Sequence, residues 1–327
     1  MDTVPLMPSD YVATQLLPRL TGLSLPVHSV FDRAFNLRVP AGASDLACVH
    51  LLAVTDSSLG GSPFGLVATA GGFPSLLRRR PFPAALMFDG QALRAEDIVL
   101  PVEEGPGYPT TFRAPAGRSV WDGDRLRREV LDRRLLSRPP EGQPTLARLL
   151  EAWPPDDGGP VEQSWLRKAA PAVAALARGR PLLEAATALL GLGVGLTPSG
   201  DDFLVGFLAA GPDVAPDEAA KLLRQAEVAT NDIAHAYLRH AVARRYSTHL
   251  RDFLLCLWGL PEGRSISDAS RAEALDRVLA TGAASGWDLV TGVVAGLSAR
   301  RTRATLRRAG PPRTRDEPRR PPGPSPR

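Results

Sequence analysis

The sequence predicts an α+β protein, a β-rich N-terminal domain followed by a mostly α-helical C-terminal domain. Three observations carry this reading. Between Leu23 and Trp121, short apolar runs alternate with clusters of Gly, Pro and Asp. After Trp121 the pattern changes to WDGDRLRREVLDRRLLSR, a charged amphipathic helix. From about Glu162 onward, apolar residues recur at three- and four-residue spacing, as on the buried faces of helices.

In chain order, the predicted strands are VHSVF (27–31), ACVHLLAV (47–54), FGLVATA (64–70), AALMF (84–88) and DIVLPV (97–102). Pro40-Ala41-Gly42, Gly60-Gly61-Ser62-Pro63, Gly71-Gly72, Asp89-Gly90 and Gly105-Pro106-Gly107 punctuate them, which suits a sheet or small barrel. PPEGQPTLARLLEAWPPDDGGP (139–160) has two Pro/Gly clusters around a short helical piece and reads as a connector. Predicted helices then cover 163–178, 181–190, 200–210, 216–258 with room for a break, 268–281 and 286–299. The resulting division is a β-rich domain over 1–125, a helical connector over 126–161, an α-helical domain over 162–305 and a disordered Arg/Pro-rich tail over 306–327.

Composition narrows the function classes. At 44% hydrophobic and 23% charged, the 327 residues can bury a core. The apolar runs are too short to span a membrane, the N-terminus lacks a basic segment, and Cys48 and Cys256 form no disulfide framework, so the expected location is cytoplasmic. The net charge of +4 conceals an asymmetry. Residues 300–327 carry ten arginines against Asp316 and Glu317, so the rest of the chain is net acidic. A Pro/Arg-rich end of this kind cannot bury enough apolar surface to fold, and its ordinary reading is a solvated tail rather than a nucleic-acid contact.

The chemistry concentrates in LLGLGVGLTPSGDDFLVGFLAA (189–210). Gly191, Gly193 and Gly195 alternate with apolar residues, and Thr197-Pro198-Ser199-Gly200 opens a helix that begins with Asp201 and Asp202. Free N–H groups at a helix start bind anions. Gly193, Gly195, Thr197, Ser199 and Gly200 are therefore candidate anion-binding residues, and Asp201 and Asp202 candidate catalytic carboxylates. No lysine follows the glycines, so this is not a P-loop. A weaker copy, SGWDLVTGVVAGL (285–297), repeats SGDDFLVGFLAAG (199–211) and adds Ser285, Gly286 and Asp288 to the candidates. Two facing helix–loop–helix units would explain the repeat. A purely structural reading competes: Ser199 with Asp202, and Ser285 with Asp288, fit the capping box. It does not cover Asp201, whose place in the copy is taken by Trp287.

GLGVGLTPSGDDFLVGF, with the later TGAASGWDLVTGVVAGL, resembles the signature of the AllH-like family, which includes a subunit of bacterial oxamate carbamoyltransferase, an enzyme of allantoin breakdown. VHSVFDRAFNL (27–37) resembles the family's N-terminal motif less specifically and makes His28 and Ser29 further candidate binding residues. The resemblance implies handling of carbamoyl phosphate and a small amide-carboxylate, in complex with other enzyme subunits. Asp201 or Asp202 would take a proton from, or accept a hydrogen bond from, the substrate –NH2. A carboxylate would want an Arg fork, for which Arg78, Arg79, Arg80, Arg239, Arg244 and Arg245 are available. No cofactor or resident metal is expected, with Mg2+ the weak alternative. Two other classes stay open: a small-molecule kinase or nucleotide-phosphate enzyme, and a non-catalytic scaffold subunit.

Overall fold

The computed structural model describes residues 2–40, 42, 50–78, 81–116, 119–136, 145–155, 164–260 and 266–309. Strands β1 (Asp2–Thr3), β2 (Leu6–Pro8), β3 (Ser24–Val30), β4 (Ala34–Val39), β5 (His50–Thr55), β6 (Gly65–Ala68), β7 (Ala85–Phe88), β8 (Ala92–Ala95) and β9 (Ile98–Pro101) form one sheet. Its order is β1-β9-β8-β7-β3-β4-β5-β6-β2. β1 and β2 are successive pieces of one chain segment, interrupted at Pro5, so the two ends of the sheet meet. The segment pairs in parallel with β9 on one side and antiparallel with β6 on the other. A Leu6–Val102 bridge tightens the closure into a near-barrel. Leu6, Leu25, Phe35, Leu37, Leu52, Leu66, Leu86 and Leu100 fill its interior.

All five predicted strand segments hold a strand. The sequence reading missed β1, β2, β4 and β8. In β4, Phe35, Leu37 and Val39 alternate inward while Arg38 points out, a half-buried pattern in a segment of only six residues.

The helical part follows: α3 (Gly123–Leu136), a 3-10 turn at Leu146–Leu150, α4 (Ser164–Ala177), α5 (Leu182–Ala186), α6 (Ser199–Ala210), α7 (Pro216–Ala229), α8 (Asp232–Val242), α9 (Thr248–Trp258), α10 (Asp268–Leu279) and α11 (Ser285–Ala309). Two short helices, α1 (Leu17–Leu20) and α2 (Phe73–Leu77), belong to the barrel. All twelve residues of α6 are buried, so it is the central helix around which the others pack. α11 runs on to Ala309, and the rest of the Arg/Pro-rich tail lies outside the described residues, as do Arg79 and Arg80. Among the described residues no helix is long and apolar enough to cross a membrane.

The long pattern over 216–258 resolves into α7, α8 and α9. The first break is at Thr230, which is extended (φ −133°, ψ 178°). Asn231 then caps α8, accepting hydrogen bonds from Ile233 N and Ala234 N. Asn231→Ala should cost about 1 kcal/mol of stability, read as a lowered denaturant midpoint. α8 docks on the outside of the barrel, where Ala236 joins Leu51, Ala53 and Phe64 in a small apolar cluster. This brings Asp232, at the start of α8, against β3, which carries His28 and Ser29.

Candidate functional site

α6 and α11 lie side by side and run in the same direction. Gly206 of α6 meets Leu289 of α11, and Gly292 of α11 meets Phe203 of α6. A Cβ at these glycines would lie 1.9 Å from Leu289 O and 2.0 Å from Phe203 O. The two starts also hydrogen-bond alike. Asp201 N and Asp202 N donate to Pro198 O, and Trp287 N and Asp288 N donate to Ala284 O. The repeat read in the sequence is therefore a repeat in space, with equivalent residues making reciprocal contacts.

The capping boxes do not form. Pro198, not Ser199, occupies the cap of α6, and no side chain caps the helix. Both acids are used across the helix pair instead. Asp202 accepts from Thr197 Oγ1 at 2.9 Å and interacts with Ser285, whose hydroxyl is itself 2.9 Å from Thr197 Oγ1. Asp288 accepts from Leu146 N at 2.6 Å and so anchors the 3-10 turn. The Ser199 hydroxyl faces Asp288 from the other helix, but Asp288 Oδ2 has no hydrogen-bond partner in good geometry. Asp201 turns away from the pair. It accepts from Gly191 N at 3.2 Å and from Thr230 Oγ1 at 2.5 Å.

Burial dominates the electrostatics of this cluster. Asp201, Asp202 and Asp288 are 1%, 6% and 1% exposed. Desolvation pushes Asp201 up to about 6, against the hydrogen bonds from Thr230 and Gly191. It pushes Asp202 up to about 7, with the nearby Asp201 adding to the rise and the Ser285 and Thr197 hydroxyls opposing it. Asp288 is driven well above the usual carboxylate range, again by burial first. Two carboxyls are thus poised near neutrality directly beneath the glycine loop.

The loop itself is open. Gly191 (φ +68°) comes so close to α7 that a Cβ would meet Ala229 O at 2.1 Å. Beyond it, Val194 and Leu196 are 68% and 54% exposed, and Gly195 is exposed too. The helix start is a poorer anion site than the sequence suggests. Gly200 N donates to Leu192 O, and the next two amides are taken by Pro198 O. Among the described residues, however, no acceptor is bonded to the N–H of Gly193, Val194, Gly195, Leu196 or Thr197. The donors left for an anion are on the loop, not on the first turn of the helix.

Residues 230–232 tie this region together. Thr230 holds Asp201, Asn231 Nδ2 donates to Leu196 O at 2.9 Å, and Asp232 Oδ2 reaches His28 Nε2 at 3.2 Å. His28 and Ser29 are thereby brought to the same neighbourhood as the loop, Asp201 and Asp202. Gly286, by contrast, is buried against the end of α10, and Asp288 serves the 3-10 turn. Asn36, Arg38, Asn231 and Asp232 escaped the sequence reading. An Asn-Asp pair after Ala229-Thr230 was a legible helix start, whereas the approach of Arg38 to Asp232 (3.4 Å) depends on tertiary packing alone.

Of the arginines considered for a carboxylate fork, Arg244 is committed to Leu208 O and Asp213, and Arg245 stacks on Tyr11. Among the described residues no group of three or more His, Cys, Asp or Glu is placed to hold a metal. A separate cavity of about 370 Å³ opens between the barrel and α9–α10, lined by Ser57, Tyr108, His249 and Arg277, and includes none of the sequence-predicted site residues.

No curated protein and no solved structure matches the chain. Residues 189–297, from the glycine loop through the paired helices, match the family AllH, described as oxamate carbamoyltransferase subunit AllH, and over that span the chain carries the signature of this family.

Proposed function

We propose that this chain is a subunit of an oxamate carbamoyltransferase-type enzyme and handles carbamoyl phosphate and a small amide-carboxylate at the junction of loop 191–197, α6 and the edge of the barrel. The observation that carries this reading is the pair Asp201 and Asp202, buried under the loop with carboxyls raised to about 6 and about 7. Carbamoyl transfer to an amide nitrogen needs a held phosphate, a polarised carbonyl and a base for a poor nucleophile. A base works best when its pKa lies near the working pH, and ordinary surface aspartates lie well below it. The open N–H groups of Gly193 to Thr197 supply donors for phosphate or a developing oxyanion. Arg38, half exposed beside Asp232, supplies a cation for the substrate carboxylate. The family description supports a role beside other subunits.

The test is an oxamate and carbamoyl phosphate assay on the chain purified with its partner subunits. Asp201→Asn and Asp202→Asn together should lower kcat at least about 100-fold, with the complex still assembled by gel filtration. Full activity in the assembled double variant would refute the reading.

A further inference from the structure

His28 and Ser29, candidate binding residues by sequence, sit in a more particular arrangement with Asp232. We propose that Ser29 is a nucleophile activated by His28 and Asp232, so that the outer face of the barrel carries an acyl-transfer centre.

Consecutive residues of a strand point to opposite faces of the sheet. His28 and Ser29 do not, because β3 bulges between them and the preceding residue. Val27 pairs with Leu37, but Ser29 pairs with Asn36, which leaves His28 as the extra residue. A bulge re-aims a side chain, and here His28 Nδ1 comes within 3.0 Å of Ser29 Oγ. The other ring nitrogen, Nε2, lies 3.2 Å from Asp232 Oδ2 on α8.

The chemistry of the partners fixes the protons. An ionised carboxylate only accepts, so the proton of the neutral imidazole sits on Nε2, facing Asp232. Nδ1 then presents a lone pair to Ser29. Ser29 Oγ already accepts a hydrogen bond from Asn36 Nδ2 at 3.0 Å, so its own proton is free to point at Nδ1. The result is a carboxylate that orients an imidazole, which accepts the proton of a serine hydroxyl, as nucleophilic catalysis requires. Asn36 is 5% exposed and is the sole buried polar side chain of β4, which places the Ser29 oxygen firmly. His28 is 17% exposed at its side chain, so the centre is reachable from solvent.

In the first half-reaction, Ser29 Oγ attacks the carbonyl carbon of an activated acyl donor, and the hydroxyl proton passes to His28 Nδ1. The bond from that carbon to the leaving-group oxygen breaks, and the leaving group departs with the electron pair and takes up the proton. In the second, water attacks the acyl carbon and gives a proton to His28, which returns it to Ser29 Oγ as the ester bond breaks. With carbamoyl phosphate as donor, the products of the first half are O-carbamoyl-Ser29 and inorganic phosphate, an assignment that rests on the function proposed above. Ser29 is then the catalytic residue, His28 the base, and Asp232 a positioning residue that acts through His28.

The experiment uses the full chain, first with p-nitrophenyl acetate and then with carbamoyl phosphate, with peptide mass mapping after each. The ester should acetylate Ser29 in the wild-type chain. Asp232→Asn should lower the acylation rate at saturating ester at least about 100-fold, with little change in the ester concentration for half-saturation and none in Tm. Ester label absent from Ser29, or found equally in the Asp232→Asn chain, would overturn the proposal, and because the wild-type peptide map decides this, a misfolded Ser29→Ala chain would not obscure it. Carbamoyl phosphate should leave one carbamoyl group on the same peptide. Ester label at Ser29 without carbamoyl label upholds the nucleophile and removes only its link to carbamoyl transfer.

Discussion

Gly292→Ala is expected to lower unfolding free energy by about 3 kcal/mol, or to prevent folding outright. In an exposed helix the same change would help by about 1 kcal/mol, because alanine is the better helix former. Here the new methyl would stand 2.0 Å from Phe203 O and 2.8 Å from Phe207 N, both backbone atoms of a helix buried on every side. Backbone in a close-packed core yields little, so overpacking outweighs propensity and sets the sign. Gly206→Ala should behave alike, since its methyl would meet Leu289 O at 1.9 Å. Denaturant melts by circular dichroism give the answer. An unchanged or raised midpoint for either variant would mean that the helix pair is not packed as described.

The second large effect is on the pH dependence of stability. Asp201 and Asp202 are raised to about 6 and about 7 in the folded chain, from the unfolded value of about 3.9. The folded state therefore holds more protons between those limits, and stability falls as pH rises. The contribution is complete below about pH 4 and is lost by the time pH passes about 7. For Asp202 alone, some three pKa units correspond to an upper bound of about 4 kcal/mol. Asp202→Asn removes the titration, and its amide oxygen can still accept from Thr197 Oγ1. Its stability should be flatter than wild type from pH 4 to 8, and greater at pH 8. Parallel curves for the two proteins across that range would exclude a raised Asp202.

Much of this was legible in the chain. Short apolar runs between Gly and Pro clusters located five strands, because each strand is bounded by its own turn chemistry. The glycine loop and its aspartates stood out for the same reason, since Gly193 and Gly195 adopt φ near +115°. Thr197 and Ser285 were legible as candidates but not as neighbours, and it is their contact that redirects Asp202 from a cap to the helix pair. The helix break at Thr230 was hidden by apolar spacing that continues through Leu222, Ala226, Ile233 and Tyr237. Periodicity survives a change of direction, and only the Asn231 cap marked it. The bulge at His28 leaves no trace in VHSVF, because it arises from a register set by Leu37 and Asn36 on another strand.

The reciprocal contacts of α6 and α11 have the form of an isologous dimer interface written within one polypeptide. In a true two-fold pair every feature comes twice, and a site near the axis is shared. Here the two halves differ at one decisive place: where the first unit buries Asp201 under an open glycine loop, the second buries Trp287 at the matching position. The first half leaves its loop amides open while the second fills the matching position with an indole, so helices that pack symmetrically carry an asymmetric surface.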